Sequence, residues 1–298
     1  MFTVKRRAVC AAASALLLGS AGACGVPSAG ESQPQRTASA PLYKELPVKY
    51  QQTGQIVVGS DIAYAPMEYY DTDGTTVLGF DKDLADALGR QVGVPLVFRN
   101  ASFDGLITSL KAERLDLVIS GMSDTAERQQ SVDFVDYYLA GAMLLVRKGN
   151  PEGLKSLADL CGRTIAVQRA TTQEQYAQKQ SETCVKQGKP KVEILSFDRE
   201  TEALLQVKQG RAAAGLEDYP VATYNARTSG GGDDFEVVGE QIEAGPLGIA
   251  VSKKNTALRE VIRKGLDMLI VSGKYNELIN KWGIPAGAVT KADVNGGA

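Results

Sequence analysis

The sequence predicts an α/β protein built as two lobes joined by two linking strands. Three observations carry this. From Gln55 onward, short apolar runs of strand length alternate with amphipathic segments of helix length. The alternation occurs as two separate sets. Each set is bounded by an extended segment, "LAGAMLLV" or "EQIEAGPLGIAV", suited to passing from one lobe to the other. Alternating strands and helices imply parallel sheets with right-handed crossovers.

The first set opens with the strand "QIVVGSD" (55–61), followed by a hairpin-like turn at Asp73-Gly74. The helix "DKDLADALGRQVG" comes next, with Asp81 as candidate N-cap, Gly93 as C-cap and an apolar stripe of Leu84, Ala87, Leu88 and Val92. "PLVFRN" is a strand. "FDGLITSLKAER" is a helix with Leu106, Ile107 and Leu110 on one face, and "LDLVIS" is the next strand. The second set reads strand "TIAVQ" (164–168), a helix from Thr172, strand "KVEILSF" (191–197), helix "TEALLQVKQG" (201–210) and strand "AAAGLED" (212–218). A helix through Ala222 and Tyr224 and the strand "FEVVGE" complete it. After "LGIAVSK" (247–253) come two amphipathic helices striped by Leu258, Ile262, Leu266, Leu269, Leu278 and Ile279. The expected boundaries are 55–141 with 243–285 for lobe 1, 142–242 for lobe 2 and 286–298 for a tail.

Upstream, Lys5, Arg6 and Arg7 precede an apolar run from Ala8 to Leu18 and small residues ending at Cys24, the layout of an export signal over residues 1–23. The run is too short and too poor in large apolar residues to remain as a membrane span. Ala21-Gly22-Ala23-Cys24 fits both a small-x-small cleavage site and a lipobox, with Ala21 where an aliphatic residue is usual. Both cut before Cys24. A bare thiol at the new N-terminus favours lipidation of Cys24, which would hold the protein on the outer face of the bacterial cell membrane; free secretion or a periplasmic location is the alternative. Residues 24–50 are rich in Ser, Ala, Gly, Pro and Gln, a composition expected of a flexible tether.

The chain carries 33 Lys+Arg against 35 Asp+Glu, a formal net charge of −2. Loss of Lys5, Arg6 and Arg7 with the signal would take it to about −5, which disfavours a nucleic-acid partner. No histidine is present, so His-based triads, HExxH zinc sites and imidazole acid-base chemistry are excluded. No cofactor or metal is expected. Cys10 leaves with the signal, and Cys161 and Cys184 remain in a compartment that permits oxidation. A disulfide between them closes a loop worth about 3 kcal/mol in the chain-entropy account. A metal site would lack both histidine partners and CxxC spacing.

Ligands in open parallel sheets bind beyond the carboxyl ends of the strands. That rule selects Asp61 to Tyr70, Ser120 to Arg128, Arg169 to Glu174 and Glu217 to Tyr219. Ser120, Gly121 and Ser123 offer hydroxyls and close backbone approach, and Asp124 to Glu127 fits a capping box opening a helix at Thr125. Arg128, one turn in, can pair with a carboxylate, or it can simply sit in a surface ion pair. "QRATTQEQYA" repeats the device, with Thr171 to Glu174 as a second box and Thr172 at the helix start. Asp218 and Asp61 supply carboxylates suited to an ammonium group. Tyr64, Tyr69, Tyr70 and Phe103 fall near the same strand ends, and for Tyr69 and Tyr70 core packing is the plainer reading. A carboxylate receptor beside ammonium receptors describes an amino-acid site.

The series "SDIAYAPMEYYD…GFDKDLADAL…FDGLITSLKAERLDLVISGMSDTAERQQSVDFVDYY…LADLCGRTIAVQRATTQE…ED…GKYNELINKWG" resembles the extracytoplasmic solute-binding proteins of polar amino-acid ABC importers, across nearly all of residues 55–284. The resemblance implies a type II periplasmic-binding-protein fold in a monomer that catalyses no reaction and whose two lobes close on one free L-amino acid for delivery to ABC permease subunits. It implies that Arg128 clamps the ligand α-carboxylate with help from Thr172, that Asp218, the Ser123 hydroxyl and the Gly121 carbonyl take the α-ammonium, that Tyr64 and Phe103 sandwich the side chain, and that Asp61 reads its distal end. Gly121 departs from the Ser or Ala frequent in the family, and Glu68 adds an acid where an aromatic or neutral residue is frequent. With Asp61, Glu68 and Asp124 nearby, a cationic guest such as arginine, lysine or ornithine is favoured, with glutamine close behind. Arg169 is the one feature that would admit an acidic ligand. Two other functions share such a fold, a ligand-binding sensory protein and a dehydratase of cyclic acids, for which Glu174 or Glu217 would be the acid-base group.

Overall fold

The computed structural model describes residues 36–297. The export signal, Cys24 and the first part of the expected tether lie outside them. The strands are β1 (Ile56–Ser60), β2 (Ala63–Tyr64), β3 (Glu68–Tyr70), β4 (Val77–Leu78), β5 (Leu96–Asn100), β6 (Leu117–Val118), β7 (Val132–Arg147), β8 (Thr164–Gln168), β9 (Glu193–Phe197), β10 (Ala214–Asp218) and β11 (Phe235–Ser252). The helices are α1 (Val48–Thr53), α2 (Phe80–Val92), α3 (Leu106–Lys111), α4 (Ala126–Gln129), α5 (Thr172–Lys186), α6 (Glu200–Lys208), α7 (Tyr219–Thr228), α8 (Thr256–Val271) and α9 (Lys274–Trp282).

One eight-stranded sheet runs through the molecule in the order β5-β1-β6-β11-β7-β10-β8-β9, while β2, β3 and β4 form a small antiparallel sheet. At one end β1 pairs in parallel with β5 and β6; at the other β8 pairs in parallel with β9 and β10. Burial on both faces explains why β8 and β10 read as nearly continuous small or apolar runs rather than as alternating ones. The two linking segments are the long strands β7 and β11, which pair antiparallel from Val132↔Ser252 to Arg147↔Phe235. Register shifts interrupt that ladder between Val238 and Ile242, between Ile242 and Gly245, and between Leu247 and Gly248. They fall where the chain crosses between two cores. Gly141 sits there because a Cβ would lie 2.9 Å from the Ile242 carbonyl oxygen.

One core gathers Val58, Leu84, Leu88, Ile119, Tyr137, Ile249 and Leu266, and the other gathers Leu144, Val146, Ile165, Val167 and Leu216. The Cys161–Cys184 disulfide ties the end of α5 to the segment entering β8, with a Cα–Cα distance of 5.5 Å.

Three expectations need correction. The segment read as a flexible tether is packed from Thr37 onward, where Thr37 N–H donates to Gly93 O at 2.8 Å and Leu42 N–H donates to Gln91 O at 2.9 Å. Leu42, Tyr43, Leu46 and Tyr50 are buried in the first core, and α1 closes on Gly54 in the left-handed conformation. Few large residues suffice when a groove beside α2 and α8 already exists, and a polar composition hides them. The tail is likewise bound. Val294 bridges Val135, and the Gly296 and Gly297 N–H groups donate to Asp136 and Asp124 at 2.9 Å. Lastly, Asp81 is not the cap of α2. The helix starts at Phe80 from Gly79, whose φ of 129° admits only glycine and where an added Cβ would lie 2.1 Å from Met67 O. Asp81 therefore turns inward and accepts from Gly121 N–H at 3.1 Å and the Tyr137 hydroxyl at 3.0 Å.

The Leu46→Ala variant separates a docked segment from a free tether. Leu46 is 2% exposed, so truncation should cost about 2–5 kcal/mol in urea unfolding. An unchanged midpoint would return the segment to a tether.

Candidate functional site

The carboxyl ends of β1, β6, β8 and β10 meet around a small cavity. All eleven residues that the sequence put forward line it: Asp61, Tyr64, Glu68, Phe103, Ser120, Gly121, Ser123, Arg128, Thr171, Thr172 and Asp218. Gln168, Glu200 and Leu216 line it as well and were missed; so does Gln173, which falls inside a marked stretch but was not singled out. Gln168 ends β8, one residue before the stretch the strand-end rule marked, and Glu200 follows β9, an edge strand the rule did not single out. Arg169 stays outside, paired with Asp198 at 2.6 Å on the surface.

Arg128 is aimed by a short turn of helix. Thr125, not Asp124, is its N-cap, accepting from Arg128 N–H at 3.3 Å. Asp124 is unavailable because its carboxylate accepts from the Gln129 amide at 2.8 Å and from the tail at Gly297. The Arg128 guanidinium donates to Ser123 O at 2.8 Å and to Ala170 O at 3.0 Å, and lies 5.4 Å from the centre of the Phe103 ring. Burial lowers its pKa, and the nearby Asp218, Glu127 and Asp124 charges oppose that.

The second capping box forms with one change. Thr171 Oγ1 accepts from Glu174 N–H at 3.1 Å, but Glu174 reaches back to Ala170 N–H at 2.8 Å rather than to Thr171. Ala170 holds a φ of 61°, which places its N–H under Glu174 and its carbonyl against Arg128. The Thr171 hydroxyl also donates to Gln168 O at 2.7 Å, so both of its roles are spent on the turn. The Thr172 hydroxyl faces that of Ser123 at 3.3 Å.

The acids each have a defined setting. Asp218 accepts from the Tyr64 hydroxyl at 2.9 Å and the Gln173 amide at 2.8 Å, and its own N–H donates to Tyr64 Oη. Burial pushes its pKa up to about 7 against the pull of Tyr64 and Arg128. Asp61 accepts from the Gln168 amide at 2.6 Å through Oδ2, while Oδ1 has no hydrogen-bond partner. Burial raises it too. Glu68 accepts from the Ser120 hydroxyl at 2.7 Å through Oε1, and its carboxyl is in hydrogen-bond contact with that of Asp81, two buried acids that must share a proton or repel. Burial first, then the neighbouring carboxylate, holds Glu68 well above the usual range, and burial brings Asp81 to about 6. The space beside Gly121 is taken by Tyr64, whose ring carbons would lie 3.0 Å from an added Cβ.

Residues 56–285 match the family described as bacterial extracellular solute-binding proteins, family 3. The chain belongs to this family. It is 30% identical over 251 residues to the arginine-binding protein ArgT of Corynebacterium glutamicum, covering 84% of this chain and 81% of that one. Among solved structures it is similar to an ancestral arginine-binding protein bound to arginine, with 36% identity, a TM-score of 0.71 and coverage of 77% of this chain and 98% of that one. An ancestral arginine-binding protein bound to glutamine aligns with 36% identity and a TM-score of 0.70, over 78% of this chain and 98% of that one. The family member is thus a polar amino-acid solute-binding protein of type II fold and not an enzyme, and the dehydratase reading is not favoured.

The absence of histidine makes the cavity's titration visible. A carboxyl whose folded pKa lies above its unfolded value of about 4 stabilises the fold at low pH, and that contribution is lost as pH rises through the folded pKa. The ligand-free protein should therefore melt at progressively lower temperature from pH 5 to pH 8, and Asp218→Asn should flatten the slope. A melting temperature that rises over this range would contradict the assignment.

Proposed function

We propose that the protein captures a free basic L-amino acid, with arginine the best fit, by closure of its two lobes, and hands it to an ABC permease. The observation that carries this is the charge of the cavity wall. Asp61, Glu68, Glu200 and Asp218 line it against a single lining cation, Arg128, and Oδ1 of Asp61 lacks a partner. Buried carboxylates left so are costly, and a buried cation offsets that cost. In this reading Arg128 and Thr172 take the α-carboxylate, and Asp218 takes the α-ammonium with Ser123 and the Gly121 carbonyl. Tyr64 and Phe103 contact the side chain, with Asp61 and Glu68 at the far end. Thr171 and Ser120 shape the wall through Gln168 and Glu68.

Closure is supported by bonds that cross the cavity from one lobe to the other, from Tyr64 to Asp218, Gln168 to Asp61 and Arg128 to Ala170 O. Glutamine is the second reading, favoured by the glutamine-bound relative; its amide could donate to Asp61 but would leave the acidic wall under-neutralised. An acidic ligand is disfavoured because Arg169 is committed to Asp198 outside the cavity. Among the described residues no helix is long and apolar enough to cross a membrane. The Lys5-to-Cys24 pattern supports an exported monomer held at the cell surface through a lipidated Cys24.

Calorimetric titration with arginine, lysine, ornithine, glutamine and glutamate tests the reading. Arginine should bind most tightly and glutamate least, and Arg128→Ala should weaken every ligand about 100-fold or more, as expected when one partner of a buried charge pair is removed. Equal affinity for glutamate, or no effect of the Arg128 substitution, would overturn it.

A further inference from the structure

We infer that Glu200 is a specificity-determining residue that receives the distal cation of the ligand from the second lobe, opposite Asp61. This rests on the basic-amino-acid reading above. Glu200 is the first residue of α6, 6% exposed, and lines the cavity, whereas the adjacent Arg199 is exposed and does not. Its carboxyl is positioned from behind. Glu217 lies in hydrogen-bond contact with Glu200, and the Asn225 amide in turn donates to Glu217 Oε2 at 2.9 Å. Two buried carboxyls in contact must share a proton or repel, so the Glu200 group is both aimed and poised to accept a donor that replaces that proton.

A second observation points to a ligand there. Asp61 is 3% exposed, lines the same cavity from the first lobe, and leaves Oδ1 without a partner. Glu200 and Asp61 line the one cavity, from the second lobe and the first. Within the cavity no basic side chain bonds them: Arg128 is engaged with Ser123 O and Ala170 O, the Gln168 amide is shared between Asp61 and Asp198 O, and Arg199 acts on Asp61 only through its charge from outside the cavity. A guanidinium presents five N–H donors in a planar fork and can bond carboxyls on opposite walls at once. A neutral side-chain amide would leave the Glu200–Glu217 proton in place and draw nothing from it.

The test compares L-arginine with L-citrulline, its uncharged near-isostere, by calorimetric titration of the unaltered protein and of Glu200→Gln, which keeps the shape and can donate to Glu217. The unaltered protein should prefer arginine. The substitution should weaken arginine about tenfold or more and citrulline by less than about threefold, the loss expected of a charged hydrogen bond. A preference for arginine that survives the substitution, or an equal loss for both ligands, would overturn the role of Glu200 and leave the basic-amino-acid reading standing. No preference in the unaltered protein would overturn that reading and this inference together. If the variant does not fold, the Glu200 carboxyl carbon resonance of the unaltered protein decides by NMR. It should shift with arginine and stay fixed with citrulline; a shift equal for the two ligands would reject the contact.

Discussion

A carboxylate taken out of water must be paired, hydrogen-bonded or protonated, and the centre of this protein holds more of them than its own cations can answer. Asp218 is met by Tyr64 and Gln173, Asp61 by Gln168, Glu68 by Ser120, and Glu217 by Asn225. Each of these partners is a neutral donor. The negative charge is therefore held in place rather than cancelled, and burial raises the affinity of these groups for protons. In the proposed cycle an amino acid with two positive groups supplies what the wall lacks.

The same bonds couple charge to shape. Asp61 follows β1 and Tyr64 ends β2, whereas Asp218 and Gln168 end β10 and β8, so the bonds that satisfy the acids join the two lobes. In the proposed closure the β7–β11 ladder would serve as the axis, since both strands are continuous through the crossing while their register slips near Gly141 and Gly245. Slips of register bend strands without cutting them. The bound tail adds a restraint near α4, where Asp124 and Asp136 hold Gly297 and Gly296.

Much of this was legible in the sequence, for identifiable reasons. Strand ends are marked by a change from apolar to small polar residues, so Asp61, Ser120 to Arg128, Thr171 and Asp218 could be placed in one cleft before any coordinates. Caps were less legible. Asp81 and Asp124 look like caps, yet buried donors, Tyr137 and Gly121 for one and the tail for the other, compete for their oxygens and win. The docking of Leu42, Leu46 and Tyr50 was hidden because sparse apolar residues in a polar segment carry no period. Glu200 was hidden because the carboxyl it contacts, Glu217, is seventeen positions away on strand β10, while Glu200 itself opens helix α6.

The central claim is that protons held by buried carboxyls are exchanged for the positive groups of the ligand. Calorimetry of arginine binding near pH 7 in buffers of differing ionisation enthalpy counts that exchange. Since the Asp218 pKa stands at about 7 before binding, and an ammonium beside it must lower it, protons should be released on binding, fewer as pH rises well above 7. Binding with no proton release, or with uptake, would contradict the account.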